Sequence, residues 1–320
     1  MAIIRYLFER SRKPRRGLLA VEWVMLAYMA FTLLLMAVMY TKLADPYTLF
    51  WNRMQALAIT IALWGVYRLL PCRFTHFARI GAQLLLLSCW YPETFEFNRV
   101  LPNLDHIFAQ AEQTLMGCQP ALFFAERWNN PVWSELMHLG YASYFAFISI
   151  LTLHCFGRCY EQLGRTAFVV LTSFFIYYTI YIFIPVTGPQ YYYHVVGVET
   201  IAQGVFPSIG DYFATHKEML YIPGWSDGFF YHFIEVVHVS GERPTAAFPS
   251  SHVGVSTIIM LLLWRLRCRK VMLALIPLYV LLCISTVYIQ AHYVIDVIGG
   301  WISGVLLFSL LWWAGRKIDM

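Results

Sequence analysis

Residues 249–296 read PSSHVGVSTIIMLLLWRLRCRKVMLALIPLYVLLCISTVYIQAHYVID. Within this stretch, the apolar runs 251–264 and 271–289 are separated by a basic turn at 265–270. Two apolar runs of this kind, joined by a short basic segment, are typical of helices that cross a bilayer and return. The residues that precede the first run and those that follow the second are therefore expected on the same side of the membrane.

The composition of the whole chain is that of a membrane protein. Of its 320 residues, 59% are hydrophobic and only 13% are charged, and the mean hydropathy is +0.58. A soluble domain of this size cannot bury so much apolar surface. The formal charge of +5 comes from basic residues clustered in short segments between apolar runs. This pattern reports membrane topology and does not indicate a nucleic-acid partner.

Apolar periodicity and Pro/Gly breaks predict an all-α, polytopic helical membrane protein with about eight membrane spans. The third run is short, so a re-entrant segment is an alternative to a full span. The eight runs are 18–40, 54–71, 77–92, 134–156, 166–185, 251–264, 271–289 and 294–313.

The distribution of Lys and Arg predicts the orientation of these spans. With the N-terminal tail in the cytosol, the inside segments hold 17 of the 23 Lys and Arg residues and the outside segments hold the other 6. Cytosolic loops carry such an excess of basic residues. The long segments 93–133 and 186–249 then lie outside, and loops of this length are usually functional or disordered. The first includes an amphipathic stretch that can lie in the membrane interface.

Two histidines at the ends of the quoted stretch are the strongest chemical signal. His252 opens one apolar run and His292 precedes the next, so the out-and-back path brings both to the outer face. Asp296 follows His292 by four residues, which places the two on one helical face. A carboxylate in that position can accept the imidazole N–H and raise the basicity of the other ring nitrogen. His292 is therefore predicted to be a nucleophile.

The start of the preceding helix offers groups that suit a bound phosphate. His252 follows Ser250 and Ser251 at a helix N-terminus, where free N–H groups and the helix dipole attract anions. The pattern predicts a two-step displacement in which His292 attacks phosphorus and His252 protonates the departing oxygen. If the two serine amides and Arg243 neutralise the phosphoryl charge, no metal is required. Seven cysteines without paired CxxC spacing predict neither a disulfide framework nor a zinc site, and no cofactor is expected.

These residues resemble the type 2 phosphatidic acid phosphatase superfamily. Its Pro-Ser-Gly-His motif is similar to Pro249-Ser250-Ser251-His252, and its Ser-Arg…His…Asp motif is similar to Ser285-Thr286…His292…Asp296. The resemblance implies a helical catalytic core with His292 as nucleophile, Asp296 as its orienting carboxylate and His252 as general acid. The chain departs from the pattern at Ser251 (usually Gly), at Thr286 (usually Arg) and in lacking a clear upstream Lys…Arg-Pro motif.

Within that superfamily, the motifs are most similar to the inositol phosphorylceramide synthase branch. The resemblance implies transfer of a phospho-headgroup from a lipid donor to a lipid acceptor at the non-cytosolic face. A phosphatidate or polyprenyl diphosphate phosphatase and a non-catalytic lipid transporter are the alternatives. Oligomeric state is not predicted. The expected organisation is a basic cytosolic tail (1–16), N-terminal membrane helices (17–92), an outer loop (93–133) and a catalytic core (134–315) that includes the outer loop 186–249.

Each of these residues also has a plainer interpretation. Asp296 can simply cap a helix, and Arg243 can be a solvated loop charge. The remaining histidines are interpreted as structural or solvated, because a lone histidine near a membrane interface is common. They are His76, His106, His138, His154, His194, His216, His232 and His238.

Overall fold

The computed structural model describes residues 2–10, 14–128 and 130–318. Met1 and residues 11–13 of the predicted basic tail, with Arg12 and Lys13 among them, lie outside these ranges. The described residues form helices and no strand, which confirms the all-α prediction. The α-helices are α1 Ala2–Leu7, α2 Ala20–Met39, α3 Pro46–Leu69, α4 Arg73–Asn98, α5 Asp105–Met116, α6 Pro120–Arg127, α7 Pro131–Arg158, α8 Leu163–Phe183, α9 Pro189–Val196, α10 Val198–Ala202, α11 Phe229–Gly241, α12 Ser251–Arg265, α13 Arg269–Tyr288 and α14 Val294–Ala314.

Five helical segments of the described chain are long and apolar enough to cross a membrane. They are Ala20–Lys42, Pro131–Arg158, Tyr160–Phe183, Arg269–Tyr288 and Val294–Lys317. The predicted count of about eight is not confirmed. α12 has 15 residues and spans about 22 Å, which is less than the hydrocarbon core. α3 and α4 are long, but they contain Arg53, Arg79 and Glu93, which lower their hydropathy.

The chain divides into two compact units. The first comprises the described residues within 1–93, 152–175 and 311–320. Two buried ion pairs stabilise it. Arg79 of α4 donates to both carboxylate oxygens of Glu22 in α2, at 2.7 and 2.5 Å, and Arg53 Nη1 lies 2.9 Å from Glu93 Oε2. Charges inside a membrane protein are normally paired in this way, because an unpaired one is costly.

The second unit comprises residues 94–151 and 176–310, and glycines let two of its helices approach closely. A Cβ added to Gly300 in α14 would lie 2.7 Å from the Ser250 carbonyl oxygen, and one added to Gly304 would lie 2.7 Å from the Gly254 carbonyl oxygen. Small residues four positions apart allow such backbone contact between membrane helices. The contact holds the N-terminus of α12 against the first turns of α14.

Gly300→Ala is expected to destabilise the protein, although the same change usually stabilises a helix by about 0.5–1 kcal/mol. The added methyl group has to push α14 away from Ser250, and overpacking of this kind costs about 1–3 kcal/mol. The measurement is the midpoint of thermal unfolding in detergent. Gly65→Ala is the matched control, because a Cβ at Gly65 meets nothing within 4 Å. Equal midpoints for the two variants would contradict this account.

Candidate active site

Two histidine rings meet where α12 begins and where α13 passes into α14. His252 is the second residue of α12, and His292 lies in the short connection before α14. His292 Nε2 is 3.4 Å from His252 Nδ1, and the ring centroids are 5.5 Å apart. The structure therefore brings together the two histidines that the out-and-back path of the chain predicts to converge.

The other nitrogen of His292 is held by a backbone carbonyl. His292 Nδ1 lies 2.8 Å from the Ala247 carbonyl oxygen. A carbonyl oxygen only accepts, so Nδ1 carries the proton and Nε2 presents its lone pair toward His252. Ala246, just before this carbonyl, has φ +71°. Such a conformation is uncommon for a residue with a side chain and often marks a functional site.

Asp296 also lies near His292 Nδ1, but it is farther from that atom than the Ala247 carbonyl oxygen is. Its Oδ2 is 3.6 Å from His292 Nδ1 and accepts a hydrogen bond from the Tyr293 N–H at 2.8 Å. The prediction that Asp296 accepts the imidazole N–H is therefore corrected. The Ala247 carbonyl makes that bond because the loop before α12 passes nearer to the ring. Asp296 is fully buried, and its carboxyl group lies close to Nδ1 without accepting the Nδ1 proton.

Burial sets the protonation of His292 in the free protein. The side chain is 4% exposed, and removal from water lowers the pKa of His292 to about 4, although the Ala247 carbonyl and Glu242 oppose this shift. Desolvation disfavours the charged imidazolium. His292 is therefore neutral at pH 7, which is the form that a nucleophile requires.

Two tyrosines of α7 enclose the ring of His252. Tyr141 stacks on it with a centroid distance of 4.6 Å and an interplanar angle of 28°, and Tyr144 lies at 4.3 Å. The apolar pattern of α7 alone did not single out these two residues. Aromatic walls of this kind fix the ring orientation and restrict access of water to the site.

The backbone N–H groups of Ser250 and Ser251, just before His252, are hydrogen-bonded within the protein. The Ser250 N–H donates to the Asp296 carbonyl at 3.0 Å, and the Ser251 N–H donates to the Tyr181 hydroxyl at 3.0 Å. The prediction that these two amides hold a phosphate is therefore corrected, because both already have acceptors. The Ser250 side chain caps α12 by accepting from the Val253 N–H at 3.4 Å, and a phosphate role for either hydroxyl stays a prediction.

Arg243 does not contact the histidine pair in the described part of the chain. Its Nη1 donates to the Glu242 carbonyl at 2.7 Å, and the side chain is half-buried. A phosphate role for this guanidinium also stays a prediction. Glu242 is near enough to act electrostatically on His292.

A buried carboxylate from α5 fixes the loop that follows α8. Asp105 accepts hydrogen bonds from the N–H and hydroxyl of Thr187 at 2.7 and 2.8 Å, and from the Gly188 N–H at 2.8 Å. It also accepts from the Tyr293 hydroxyl at 3.1 Å. Burial raises the pKa of Asp105, and the hydrogen bonds from Thr187 and Gly188 only partly oppose this shift. Asp105 thus links residues 187–188 to the residue that follows His292.

Glu112, also from α5, caps the helix that carries Asp296. Its Oε2 accepts from the Val294 N–H at 2.5 Å and from the Ile295 N–H at 3.3 Å. A carboxylate stabilises a helix N-terminus through its free N–H groups and its dipole. The outer face of α5 is apolar and exposed at Ile107 and Leu115. The amphipathic stretch within 93–133 therefore directs its acidic residues into the second unit and its apolar residues outward.

Glu112→Gln is expected to weaken the pH dependence of stability. Burial raises the pKa of Glu112 to about 7 from its ordinary value of 4.5. Between these values the unfolded chain has released the proton while the folded protein keeps it, so rising pH favours unfolding, by about 3 kcal/mol overall. The wild type should lose thermal stability from pH 5 to pH 8. Glutamine still accepts from α14 but does not ionise, so the variant should lose less. Equal pH profiles would contradict this role.

Comparison with known proteins identifies a family for this chain. Residues 106–310, more than half of the chain, match the family model described as the PAP2 superfamily. The matched range includes His252, His292 and Asp296 as well as Glu112. No curated protein and no solved structure gives a significant match. The chain therefore belongs to the PAP2 superfamily, the type 2 phosphatidic acid phosphatases whose motifs its sequence resembles.

Proposed function

We propose that this protein transfers a phosphorylated headgroup between lipids through a phosphohistidine formed at His292. Membership of the PAP2 superfamily indicates a phosphatase or phosphotransferase that acts on lipid phosphates. The observation that carries the proposal is the pair of facing nitrogens, His292 Nε2 and His252 Nδ1, at 3.4 Å. A neutral nucleophile lies beside a group able to donate a proton, and phosphoryl transfer through a covalent intermediate needs these two groups.

In the first step the lone pair of His292 Nε2 attacks the phosphorus of the donor lipid. The bond from phosphorus to the leaving oxygen breaks, and that oxygen takes a proton from His252. A bound phosphate favours the protonated form of a nearby imidazole, so the substrate itself promotes the acid form of His252. The entering phosphoryl group takes the place of the direct contact between the two rings.

In the second step an acceptor hydroxyl gives its proton to His252 and attacks the phosphorus. The phosphorus–nitrogen bond breaks, and its electron pair returns to His292. The Ala247 carbonyl holds the Nδ1 proton throughout, so the developing positive charge on the ring is stabilised without a change of tautomer. The Asp296 carboxyl group lies beside it, with Oδ2 3.6 Å from Nδ1.

The choice of acceptor separates a transferase from a hydrolase. His292 is buried, and Tyr141 and Tyr144 lie against His252. Restricted access of water favours an acceptor alcohol over hydrolysis. We therefore favour activity like that of inositol phosphorylceramide synthases over phosphatidate or polyprenyl diphosphate hydrolysis.

The proposal includes a topology. We propose eight spans, with α3, α4 and α12 added to the five apolar segments, a cytosolic tail at 1–16 and N-terminal membrane helices at 17–92. The segment 93–133 and the core 134–315, with the loop 186–249, then present the site at the non-cytosolic face. The excess of basic residues in the inside segments supports this orientation. The partners are a lipid phosphate donor, a lipid acceptor and the bilayer.

A dual-label assay tests the function. Purified protein in detergent is incubated with a ³²P-labelled total phospholipid extract and with fluorescent ceramide or fluorescent diacylglycerol. We expect a lipid that is both fluorescent and radioactive, together with an acid-labile phosphoenzyme. Release of inorganic phosphate alone would show a phosphatase instead. If no donor labels the protein and no product forms, the non-catalytic transporter is favoured.

A further inference from the structure

His238 is a buried histidine whose ring has no hydrogen-bond partner among the described residues. It lies on α11, the residue is 4% exposed, and neither ring nitrogen is hydrogen-bonded within residues 2–10, 14–128 and 130–318. On the same helix Phe229, Phe233 and Val236 are exposed. Buried polar groups are nearly always paired, and an unpaired one costs about 1–3 kcal/mol. A side chain that only filled space at this position would more favourably be apolar.

The position of His238 connects it to the histidine pair. Its ring centroid is 6.4 Å from that of Tyr141, with the rings nearly perpendicular at 86°. Tyr141 in turn stacks on His252 at 4.6 Å. His238 and His252 are also close enough to interact electrostatically. His238 therefore lies next to the aromatic wall of the candidate active site.

The charge state of His238 limits what it can bind. Burial lowers the pKa of His238 to about 4, so the ring is neutral at pH 7. A neutral imidazole has one N–H donor and one nitrogen lone pair. An ionised phosphate only accepts hydrogen bonds, so it can use the donor but is repelled by the lone pair. A hydroxyl group both donates and accepts, and can bond to either nitrogen.

We propose that His238 binds a hydroxyl group of the substrate beside the histidine pair. This inference rests on the proposed function and names a substrate class for it, a lipid whose reacting end bears a free hydroxyl. Two sources share this chemistry. One is the acceptor alcohol, and the other is a hydroxylated headgroup carried by the donor.

The test compares His238→Phe with His238→Asn. Phenylalanine fills a similar volume without polar atoms, so His238→Phe is expected to raise the midpoint of thermal unfolding while it weakens substrate binding. The loss of one hydrogen bond predicts a KM increase of about tenfold. Asparagine restores a donor and an acceptor and should recover part of the affinity. His232→Phe is the matched control, because His232 is exposed on the same helix.

The probes are the ³²P-labelled phospholipid extract and fluorescent ceramide. If His238 binds the acceptor, His238→Phe raises the KM for the fluorescent ceramide and leaves the rate of phosphoenzyme formation unchanged. If it binds the donor headgroup, phosphoenzyme formation itself becomes slower. The inference is overturned if His238→Phe has wild-type kinetics, or if it unfolds more easily while KM is unchanged. Absence of both phosphoenzyme and product in the wild type is a separate result, because it refutes the proposed function itself.

Discussion

Replacing His292 with asparagine is expected to abolish the phosphoenzyme and to lower turnover by at least about 10⁴-fold, as removal of a covalent nucleophile does. The reason is local. In the wild type the N–H at Nδ1 of His292 is hydrogen-bonded to the Ala247 carbonyl. Nε2 is therefore the nitrogen that can attack phosphorus. Asparagine can still donate to that carbonyl through its amide, but it has no nucleophile where Nε2 lies.

Asparagine is preferred to alanine because His292 is buried. His292→Ala leaves the Ala247 carbonyl without its donor, at a cost of about 1–3 kcal/mol, so lost activity in that variant would mix chemistry with instability. The measurements are ³²P labelling of the protein and turnover of the labelled extract, with thermal unfolding as a check on the fold. His194→Ala is the control, since His194 is an exposed histidine of α9. If His292→Asn is still labelled with ³²P, another residue is the nucleophile.

The sequence could predict the helices and the meeting of the two histidines. Each of the eight apolar runs coincides with a helix of the structure, because apolar composition and helix length follow from the bilayer. The hairpin of α12 and α13 returns the chain to the same side, and His252 and His292 then meet. Whether an individual helix crosses the membrane is harder to predict, since Arg53 and Arg79 lower hydropathy yet are buried in ion pairs.

The contacts that orient the site could not be predicted in the same way. The Ala247 carbonyl precedes His292 by 45 positions, and no property of an alanine side chain marks its backbone as an acceptor. Asp105 and Glu112 fall in an amphipathic pattern whose acidic face would ordinarily be assigned to water. In a membrane protein apolar residues occur on buried and lipid-facing surfaces alike, so the pattern does not tell which face packs inward. Only tertiary contact distinguishes these cases.

Similar reasoning applies to the aromatic residues and to Glu22. The chain has 21 tyrosines, and nothing in the local sequence of α7 separates Tyr141 and Tyr144 from the others. Glu22 in α2 accepts from the nearby Leu19 N–H, but Arg79, the partner that pairs its charge, lies 57 positions away. Pairing over such separations depends on how helices pack, which periodicity does not report.

The second large effect is expected at His252, and it should depend on the leaving group. General acid catalysis contributes about 10²–10⁴-fold, and more when the leaving oxygen is a poor leaving group. An alkoxide from a lipid alcohol needs a proton as the bond to phosphorus breaks. Nitrophenolate, by contrast, can leave without being protonated. His252→Gln should therefore be severely impaired on the labelled phospholipid extract and much less impaired in phosphoenzyme formation from p-nitrophenyl phosphate.

This dependence separates an acid from a residue that merely packs. Tyr141 and Tyr144 pack against the His252 ring. If His252 only took part in this packing, its replacement would lower the activity on both substrates equally. The pre-steady-state burst of nitrophenol reports formation of the phosphohistidine alone, before the acceptor enters. A burst in His252→Gln that approaches the wild-type rate, together with lost phospholipid turnover, assigns proton donation to His252. If the burst falls as far as phospholipid turnover does, His252 is not the acid, and the contact at 3.4 Å serves to position His292.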